Sequence, residues 1–184
     1  MDDFNGVVYP TVFDKASNVS TLANDPSSTV RTFKVQKNLI YKGKASVTNG
    51  QFSFSFVVPR DIAYNFGKGR ISYYAEGNQT NANGYYEEFI IGGSASGLAA
   101  DEDGPEIRLY MNDESFVYGG TTDESPSLLA LVTDTNGINT VGNGIGHDIT
   151  AVLDENTNGT INLNDFYQAD LDSYQSGKVV YPFN

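Results

Sequence analysis

The chain has no cysteine, no tryptophan and only one histidine. The absence of cysteine excludes disulfide bonds, thiolate nucleophiles and thiolate metal sites. The sequence also contains no apolar run that approaches the roughly 20 residues of a membrane-spanning helix. A disulfide-stabilised miniprotein and a cysteine-dependent enzyme are therefore excluded for this segment.

Positive charge is scarce in the second half of the chain. Residues 1–92 contain nine Lys/Arg and eight Asp/Glu, a balance of +1, whereas residues 93–184 contain two and fifteen, a balance of −13, and the sum is −12. The acidic half would repel nucleic acid and anionic lipid. We interpret the acids as loop residues that keep the protein soluble, with cation binding or a basic partner as alternatives.

An alternation of aromatic residues indicates β structure in the first half. Phe52, Phe54 and Phe56 alternate with serine, so a strand would place all three rings on one face. The preceding pair Asn49-Gly50 tolerates the positive φ angles of a type I′ turn. The sequence therefore predicts a tight hairpin here and an all-β fold class.

Short candidate strands, separated by turn-rich stretches and without helical periodicity, recur along the chain. This spacing predicts antiparallel β-sandwiches, and a length of 184 residues allows two tandem domains of that kind. We predict a domain at 4–93, a linker of small and acidic residues at 94–104, and a second domain at 105–184. The candidate strands of the first domain are 6–13, 30–36, 39–48, 51–58, 70–75 and 85–91.

The second domain has fewer candidate strands, and its stretch 164–174 is predicted to be irregular although apolar residues recur there at helical spacing. Five short strands are few for a closed sandwich, so we expect this domain to be truncated, with an uncovered sheet edge. The candidate strands are 106–111, 127–133, 148–154, 160–163 and 178–181.

Five stretches, taken in order, resemble one known family. Together they are similar to the region that follows the gingipain-like peptidase domain in the cell-surface signal peptidase, or sortase, of the bacterial type IX secretion system. The stretches are DFNGVVYPTVFDK (3–15), YKGKASVTNGQFSFSFVVPRDIAYNFGKGRISYYA (41–75), DGPEIRLYMND (103–113), NGINTVGNGIGHDITAVLD (136–154) and LNDFYQADLDSYQSGKVVYPF (163–183).

This resemblance implies that the chain is a non-catalytic, immunoglobulin-like segment of a larger exported enzyme at the cell surface, associated with the outer membrane. The chemistry of the family belongs to a Cys–His peptidase domain that removes the carboxy-terminal sorting signal of cargo proteins. Its catalytic residues have no counterpart in a chain without cysteine, so the segment itself is not expected to be an enzyme. The implied partners are the upstream peptidase domain and proteins of the secretion system, without nucleic acid or direct membrane insertion.

One loop has the ligand spacing of a calcium site. Oxygen-bearing side chains fall at the first, third, fifth and twelfth positions of an EF-hand-like loop, with Gly159 at the sixth, the backbone carbonyl of Thr160 at the seventh and Asn162 at the ninth. The alternative is a β-hairpin that turns at 156–159, and it is favoured because only two of the ligands are carboxylates and strand-like alternation surrounds the turn. No other cofactor is expected. The calcium candidates are Asp154, Asn156, Asn158, Thr160 and Asp165.

Two further features suggest a functional site, and each indicates one less strongly than the calcium loop does. His147 is followed by Asp148, but adjacent strand residues point to opposite faces and would not share a site, so a structural histidine is favoured. The pairs Tyr73-Tyr74 and Tyr85-Tyr86 could stack on sugars, although each pair should split between two faces, and core packing is favoured. A surface carbohydrate-binding or adhesive module therefore remains the alternative function.

Overall fold

The computed structural model describes residues 3–59, 62–94, 97, 103–139 and 148–183 of the chain. Over these ranges the backbone forms β-strands and two short 3₁₀-helices, Thr157–Gly159 and Asn164–Phe166, and no α-helix. The strand ladders are antiparallel. The predicted all-β fold class is confirmed. The same ranges contain no helix with the length and apolar character needed to cross a membrane.

The first unit, meaning the described residues up to 94, is built around one five-stranded sheet and two small two-stranded sheets. Its strands are β1 (Gly6–Phe13), β2 (Ser17–Ser20), β3 (Thr32–Val35), β4 (Leu39–Lys42), β5 (Ala45–Val47), β6 (Gly67–Lys68), β7 (Arg70–Gly77), β8 (Asn81–Tyr86) and β9 (Ile90–Ile91). The main sheet has the order β4-β1-β7-β8, with β5 also paired to β1, and the small sheets are β2-β3 and β6-β9. Strand β1 is thus central, and β4 and β5 together form one edge of the main sheet.

Strand β1 is central because its sequence alternates around an apolar face. Val8, Pro10 and Val12 are buried on that face, whereas the residues between them are half-buried on the other. The pairing with β7 runs over all eight residues, from Gly6↔Gly77 to Phe13↔Arg70. Because side chains on a strand alternate with a period of two, this register places the inner residues of both strands in one core.

The predicted turn at Asn49-Gly50 is present. Both residues have positive φ angles, 51° and 74°, as a type I′ turn requires. Thr48 and Gln51 exchange backbone hydrogen bonds of 2.9 and 3.0 Å across the turn. The turn prediction is therefore confirmed.

The strand predicted at 51–58 is wrong, since Gln51 forms only an isolated bridge with Thr48 and residues 52–59 lie outside the named strands. The aromatic alternation nevertheless places the rings on one face: Phe52, Phe54 and Phe56 stack in series, with centroids 6.5 and 6.1 Å apart. Phe54 and Phe56 also stack on Tyr41 of β4. The segment is held to the first unit by side-chain packing rather than by a backbone ladder.

A buried ion pair follows β1. Asp14 and Lys15 are only 5% and 8% exposed. The Lys15 ammonium donates to the Asp14 carboxylate at 2.9 Å and to the carbonyl of Ala63 at 2.6 Å. Burial of the two charges is tolerated because they are paired, whereas removal of one partner from such a pair costs about 3–5 kcal/mol. The pair ties the end of β1 to the segment that follows the aromatic series.

The second unit, meaning the described residues from 103 onward, contains β10 (Glu106–Met111), β11 (Ser127–Thr133), β12 (Thr150–Ala151), β13 (Ile161–Asn162), β14 (Tyr167–Ala169) and β15 (Ser176–Pro182). A four-stranded sheet has the order β10-β11-β15-β14, and β12 pairs with β13. Its core consists of Ala130, Val132, Leu163, Tyr167, Ala169 and Val179. Most of the predicted linker at 94–104 lies outside the described residues.

We predict that Phe54→Ser destabilises the protein by about 2–4 kcal/mol, because its ring packs against both core clusters of the first unit and the new hydroxyl would be left in an apolar site. Ser53→Ala is the matched control, since Ser53 is exposed and its change should cost little. Urea unfolding of both variants measures the difference. Equal midpoints for the two variants would contradict the assigned orientation of this segment.

Candidate docking surfaces

The two units meet at a junction along the edge formed by β4 and β5. The Asp172 N–H donates to the carbonyl of Lys44 at 3.0 Å, and the Asp172 carboxylate accepts from the N–H and the hydroxyl of Ser46, both at 2.7 Å. Leu171 forms an isolated parallel bridge with Lys44, whose ammonium donates to Gln168 at 3.1 Å. The second unit thus provides partners for backbone groups that an edge strand leaves open.

Aromatic rings from both units line a small cavity at the junction. Tyr41 and Phe56 stack with their centroids 4.8 Å apart, and Tyr174 packs against the same core cluster. These rings and that of Tyr167 line a cavity of about 60 Å³. Such a volume holds a few water molecules and falls far below that of a ligand pocket. The junction is therefore a packed contact between the units.

Three ionisable groups at the junction have shifted pKa values. Hydrogen bonds from the Ser46 hydroxyl and N–H hold the pKa of the Asp172 carboxyl below its usual value. Burial raises the pKa of Tyr41, and burial, followed by the charge of Asp170, raises the pKa of Tyr167. The two phenols therefore stay protonated at neutral pH, and Asp172 is the group of this set that titrates in acid.

An apolar groove of about 860 Å³ opens on the first unit, between the end of the aromatic series and β9. Tyr64, Phe66 and Ile90 on its walls are 58%, 74% and 61% exposed. Among its described lining residues there is no Lys, Arg, Asp or Glu. The lining consists of Val12, Ile40, Phe56, Val58, Pro59, Ile62, Tyr64, Phe66, Phe89, Ile90, Ile91, Gly92, Gly93, Ser94 and Gly97.

Two glycines after β9 allow the chain to pass close to the opposite wall of the groove. Gly92 and Gly93 have φ angles of 147° and 76°, and a Cβ on Gly92 would lie 2.7 Å from the carbonyl oxygen of Asn65. The Gly93 N–H donates to the carbonyl of Tyr64 at 2.7 Å. A side chain at Gly92 would therefore force the two walls apart.

Three tyrosines lie on the outer side of the main sheet. We define the tyrosine face as Tyr9, Tyr74 and Tyr85 with the polar residues between them. The register pairs Tyr9 with Tyr74, and Tyr74 with Asn83, which precedes Tyr85 on the same face. The rings of Tyr9 and Tyr74 lie 6.0 Å apart and are tilted by 34°. Tyr74 and Tyr85 are 44% and 73% exposed. The three phenols therefore share one solvent-facing surface.

Each tyrosine pair splits between the two faces of the sheet, as expected. The favoured core packing holds for Tyr73 of the first pair and is wrong for Tyr86 of the second. Tyr73 is half-buried and packs against the core, in contrast to the exposed Tyr74. Tyr86 is 47% exposed although it points to the inner face, because β8 lies at the sheet edge and Tyr86 is stacked there only on Phe89, at 5.9 Å. Both members of the second pair are therefore accessible.

The calcium candidates lie in and around a β-hairpin. Strands β12 and β13 pair through Thr150↔Asn162 and Ala151↔Ile161, so the hairpin interpretation is confirmed. Asn164 closes its base: the carboxamide accepts from the N–H of Ile149 at 2.7 Å and donates to a carboxylate oxygen at 2.8 Å.

The turn of this hairpin departs from the calcium-loop pattern. Asp154 has a positive φ of 51°, whereas Gly159 does not belong to the glycines with positive φ. The Thr160 hydroxyl donates to the carbonyl of Thr157 at 2.9 Å. The described residues contain no cluster of three or more His, Cys, Asp or Glu side chains able to hold a metal. Calcium binding by Asp154, Asn156, Asn158, Thr160 and Asp165 stays an untested hypothesis.

His147 lies outside the described residues. Its neighbour Asp148 is exposed, and its carboxylate accepts a hydrogen bond from Asn164 at 2.8 Å. Asp148 therefore helps to close the base of the β12-β13 hairpin.

These features define an antiparallel all-β chain whose two units are joined along a sheet edge and whose first unit has an open apolar groove. No protein-family model matches the chain, and no curated protein matches it. Among solved structures, the chain is similar to PorU, a type IX secretion sortase, in the crystal structure of dimeric latent PorU from Porphyromonas gingivalis. The identity is 31% and the TM-score 0.52, over 98% of this chain and 17% of that chain.

The similarity supports the sortase family that the five sequence stretches indicate, and it links this chain to type IX secretion. The chain spans about a sixth of the length of PorU, as the 17% coverage shows. Sequence reasoning did not find the groove or the junction. The exposed aromatics Tyr64 and Phe66 and the pair Gly92-Gly93 were the available signals for the groove, but they come from two separate segments.

We predict that the junction weakens in acid through Asp172. The pKa of Asp172 is lower in the folded state than its usual value. The stability that the carboxylate contributes is therefore fully present above the usual carboxyl pKa of about 3.9, and it is lost as the pH falls through the folded-state pKa. Asp172→Asn should therefore melt below the wild type at neutral pH, and the difference should shrink below about pH 4. Thermal melts over a pH series measure this. Asp103→Asn is the control, because Asp103 is exposed. A difference in Tm between the wild type and Asp172→Asn that stayed constant over the pH series would contradict the prediction.

We also predict that calcium has little effect on stability, because the described residues around this hairpin bring together no cluster of acidic side chains able to hold a metal ion. A site filled at a hundredfold excess over its Kd would add about 2.7 kcal/mol, which is several degrees in Tm. Melting in millimolar CaCl₂ and in EDTA should give the same Tm within about 1 °C. A chelator-sensitive Tm that Asp154→Ala abolishes would instead establish the calcium site.

Proposed function

We propose that this chain is a non-catalytic, immunoglobulin-like segment of an exported, outer-membrane-associated sortase of the gingipain-like type. In this proposal it packs against the peptidase domain of the same polypeptide through the apolar groove and positions that domain. The two units would be tandem β-sandwich domains that act as one support. The observation that carries the proposal is the open groove, whose described lining residues include no charged side chain, on a chain similar to PorU.

The similarity supports a place in a larger enzyme. The matched part covers nearly all of this chain but only 17% of the PorU chain, so the activity of a sortase of this kind need not reside in the matched segment. This chain has no cysteine and therefore cannot provide the thiolate of a Cys–His peptidase. A supporting role is the function that remains for it within such an enzyme.

The groove has the chemistry of a permanent protein contact. Phe66, Tyr64 and Ile90 expose large apolar surface there, and contiguous exposed apolar surface of this kind marks an interaction site. Interfaces that never separate are more hydrophobic than transient ones. A domain of the same polypeptide can form such a permanent interface, because the covalent connection keeps it at a high effective concentration.

The test uses this chain and the peptidase domain of the same sortase as separate polypeptides, with association measured by calorimetry. Ile90→Asp should weaken association at least about tenfold, because it places a charge in the apolar contact. The matched control is Ile107→Asp on β10, since Ile107 and Ile90 are comparably exposed, at 54% and 61%. The chain alone should not cleave a sorting-signal peptide.

Two results would oppose the proposal. One is an absence of association between two folded polypeptides. The other is an equal loss of affinity in Ile90→Asp and Ile107→Asp, which would move the contact away from the groove. Hydrolysis of the peptide by the purified chain would overturn its non-catalytic character.

A further inference from the structure

The tyrosine face is a second surface that the proposed contact through the groove does not use. It lies on the outer side of β1, β7 and β8, whereas the groove is bounded by inner-face residues such as Val12 and Ile40. The exposed phenols Tyr74 and Tyr85 are at its centre. Large rings on an outer sheet face gain nothing from core packing, so their exposure calls for an explanation of its own.

The geometry provides stacking surfaces. Tyr9 and Tyr74 lie side by side across a strand pair, with centroids 6.0 Å apart. Tyr85 is on the next strand, opposite Ser72 and diagonal to Tyr74, at a separation of about 7–8 Å between Cα atoms for such neighbours. The three rings therefore extend across three adjacent strands, over a width that matches two or more consecutive sugar rings.

Polar side chains surround the rings on the same face. Asn83 is directly opposite Tyr74, and Asn81 is directly opposite Glu76. The Tyr9 hydroxyl donates to the Glu76 carboxylate at 3.4 Å. Asn81, Asn83 and Glu76 are exposed, so their carboxamides and carboxylate are accessible as hydrogen-bond donors and acceptors.

The charge of this surface restricts the ligand. Among the described residues, Glu76 is the ionised side chain within the tyrosine face. The same side of the sheet also carries Arg70, farther along β7 with its guanidinium 4.7 Å from the ring centre of Phe13, and Lys42 of β4, opposite Thr11. Isolated charges of both signs thus border the rings, without a cluster of basic residues. A polyanion such as nucleic acid needs a cluster of basic residues, and the net charge of the whole chain is −12. An uncharged ligand is the one that matches this face.

We propose that the tyrosine face binds a neutral glycan. The apolar C–H faces of its pyranose rings would stack on Tyr74 and Tyr85, while its hydroxyls would bond to the Asn81 and Asn83 carboxamides and the Glu76 carboxylate. Rings with a polar edge suit this ligand because each sugar has one apolar face and a polar periphery. This inference is independent of the proposed docking through the groove.

The test is affinity electrophoresis of the 184-residue chain in native gels that contain mannan, dextran or hydroxyethyl cellulose, with polygalacturonate as the anionic comparison. We expect retardation by at least one neutral polysaccharide. Tyr85→Ala and Tyr74→Ala should each weaken it at least about tenfold, as expected for the loss of one central stacking ring. The matched control is Tyr118→Ala, because Tyr118 is a fully exposed tyrosine of the second unit.

Each outcome is decisive once circular dichroism shows that the variants are folded. Retardation by a neutral polysaccharide that is lost in Tyr85→Ala and retained in Tyr118→Ala supports the proposal. Absence of retardation by all three neutral polysaccharides overturns it, as does retardation by polygalacturonate alone. Equal loss in Tyr85→Ala and Tyr118→Ala also overturns it, because binding would then not depend on this face.

Discussion

The arrangement of the two units depends on how the edge of the main sheet is closed. Strands β4 and β5 are interrupted at Gly43, where a Cβ would collide with the Tyr41 hydroxyl, and the interruption leaves the backbone of Lys44 and Ser46 open. Asp172 satisfies both through its N–H and its carboxylate. An open strand edge is a site for pairing with other backbone, so this contact, together with the Leu171 bridge and the packing of Tyr174, couples the first unit to the second.

The aromatic side chains extend that coupling into the core. Phe54 connects the two core clusters of the first unit, and Tyr41 stacks on both Phe54 and Phe56. Tyr174, from the second unit, packs against the same cluster. Stacked and edge-on aromatic pairs contribute about 0.5–1.5 kcal/mol beyond their buried area. A continuous path of rings therefore leads from the first core to the junction and leaves the outer sheet face and the groove free.

Local patterns predicted the parts of this fold that local physics determines. The bounds of β1, β10 and β11 agree to the residue with the predicted strands, and in β1 the alternation of side chains reports a half-buried ladder directly. The turn at Asn49-Gly50 followed from the φ preferences of those two residues. After Gln51 the same alternation predicted a strand where none is named, because rings can share one face without a hydrogen-bonded backbone. The junction could not be predicted, because Ser46 and Asp172 are 126 positions apart.

That separation has a consequence for biosynthesis. The edge at Lys44 and Ser46 leaves the ribosome long before Asp172 does, and at about 5–20 residues per second the interval is roughly 6–25 seconds. During that time the first unit can fold with an unpaired strand edge and stacked aromatic rings at its rim, a combination that favours association with other chains. Pairing of this edge with other chains should therefore become less frequent once residues 170–174 are available.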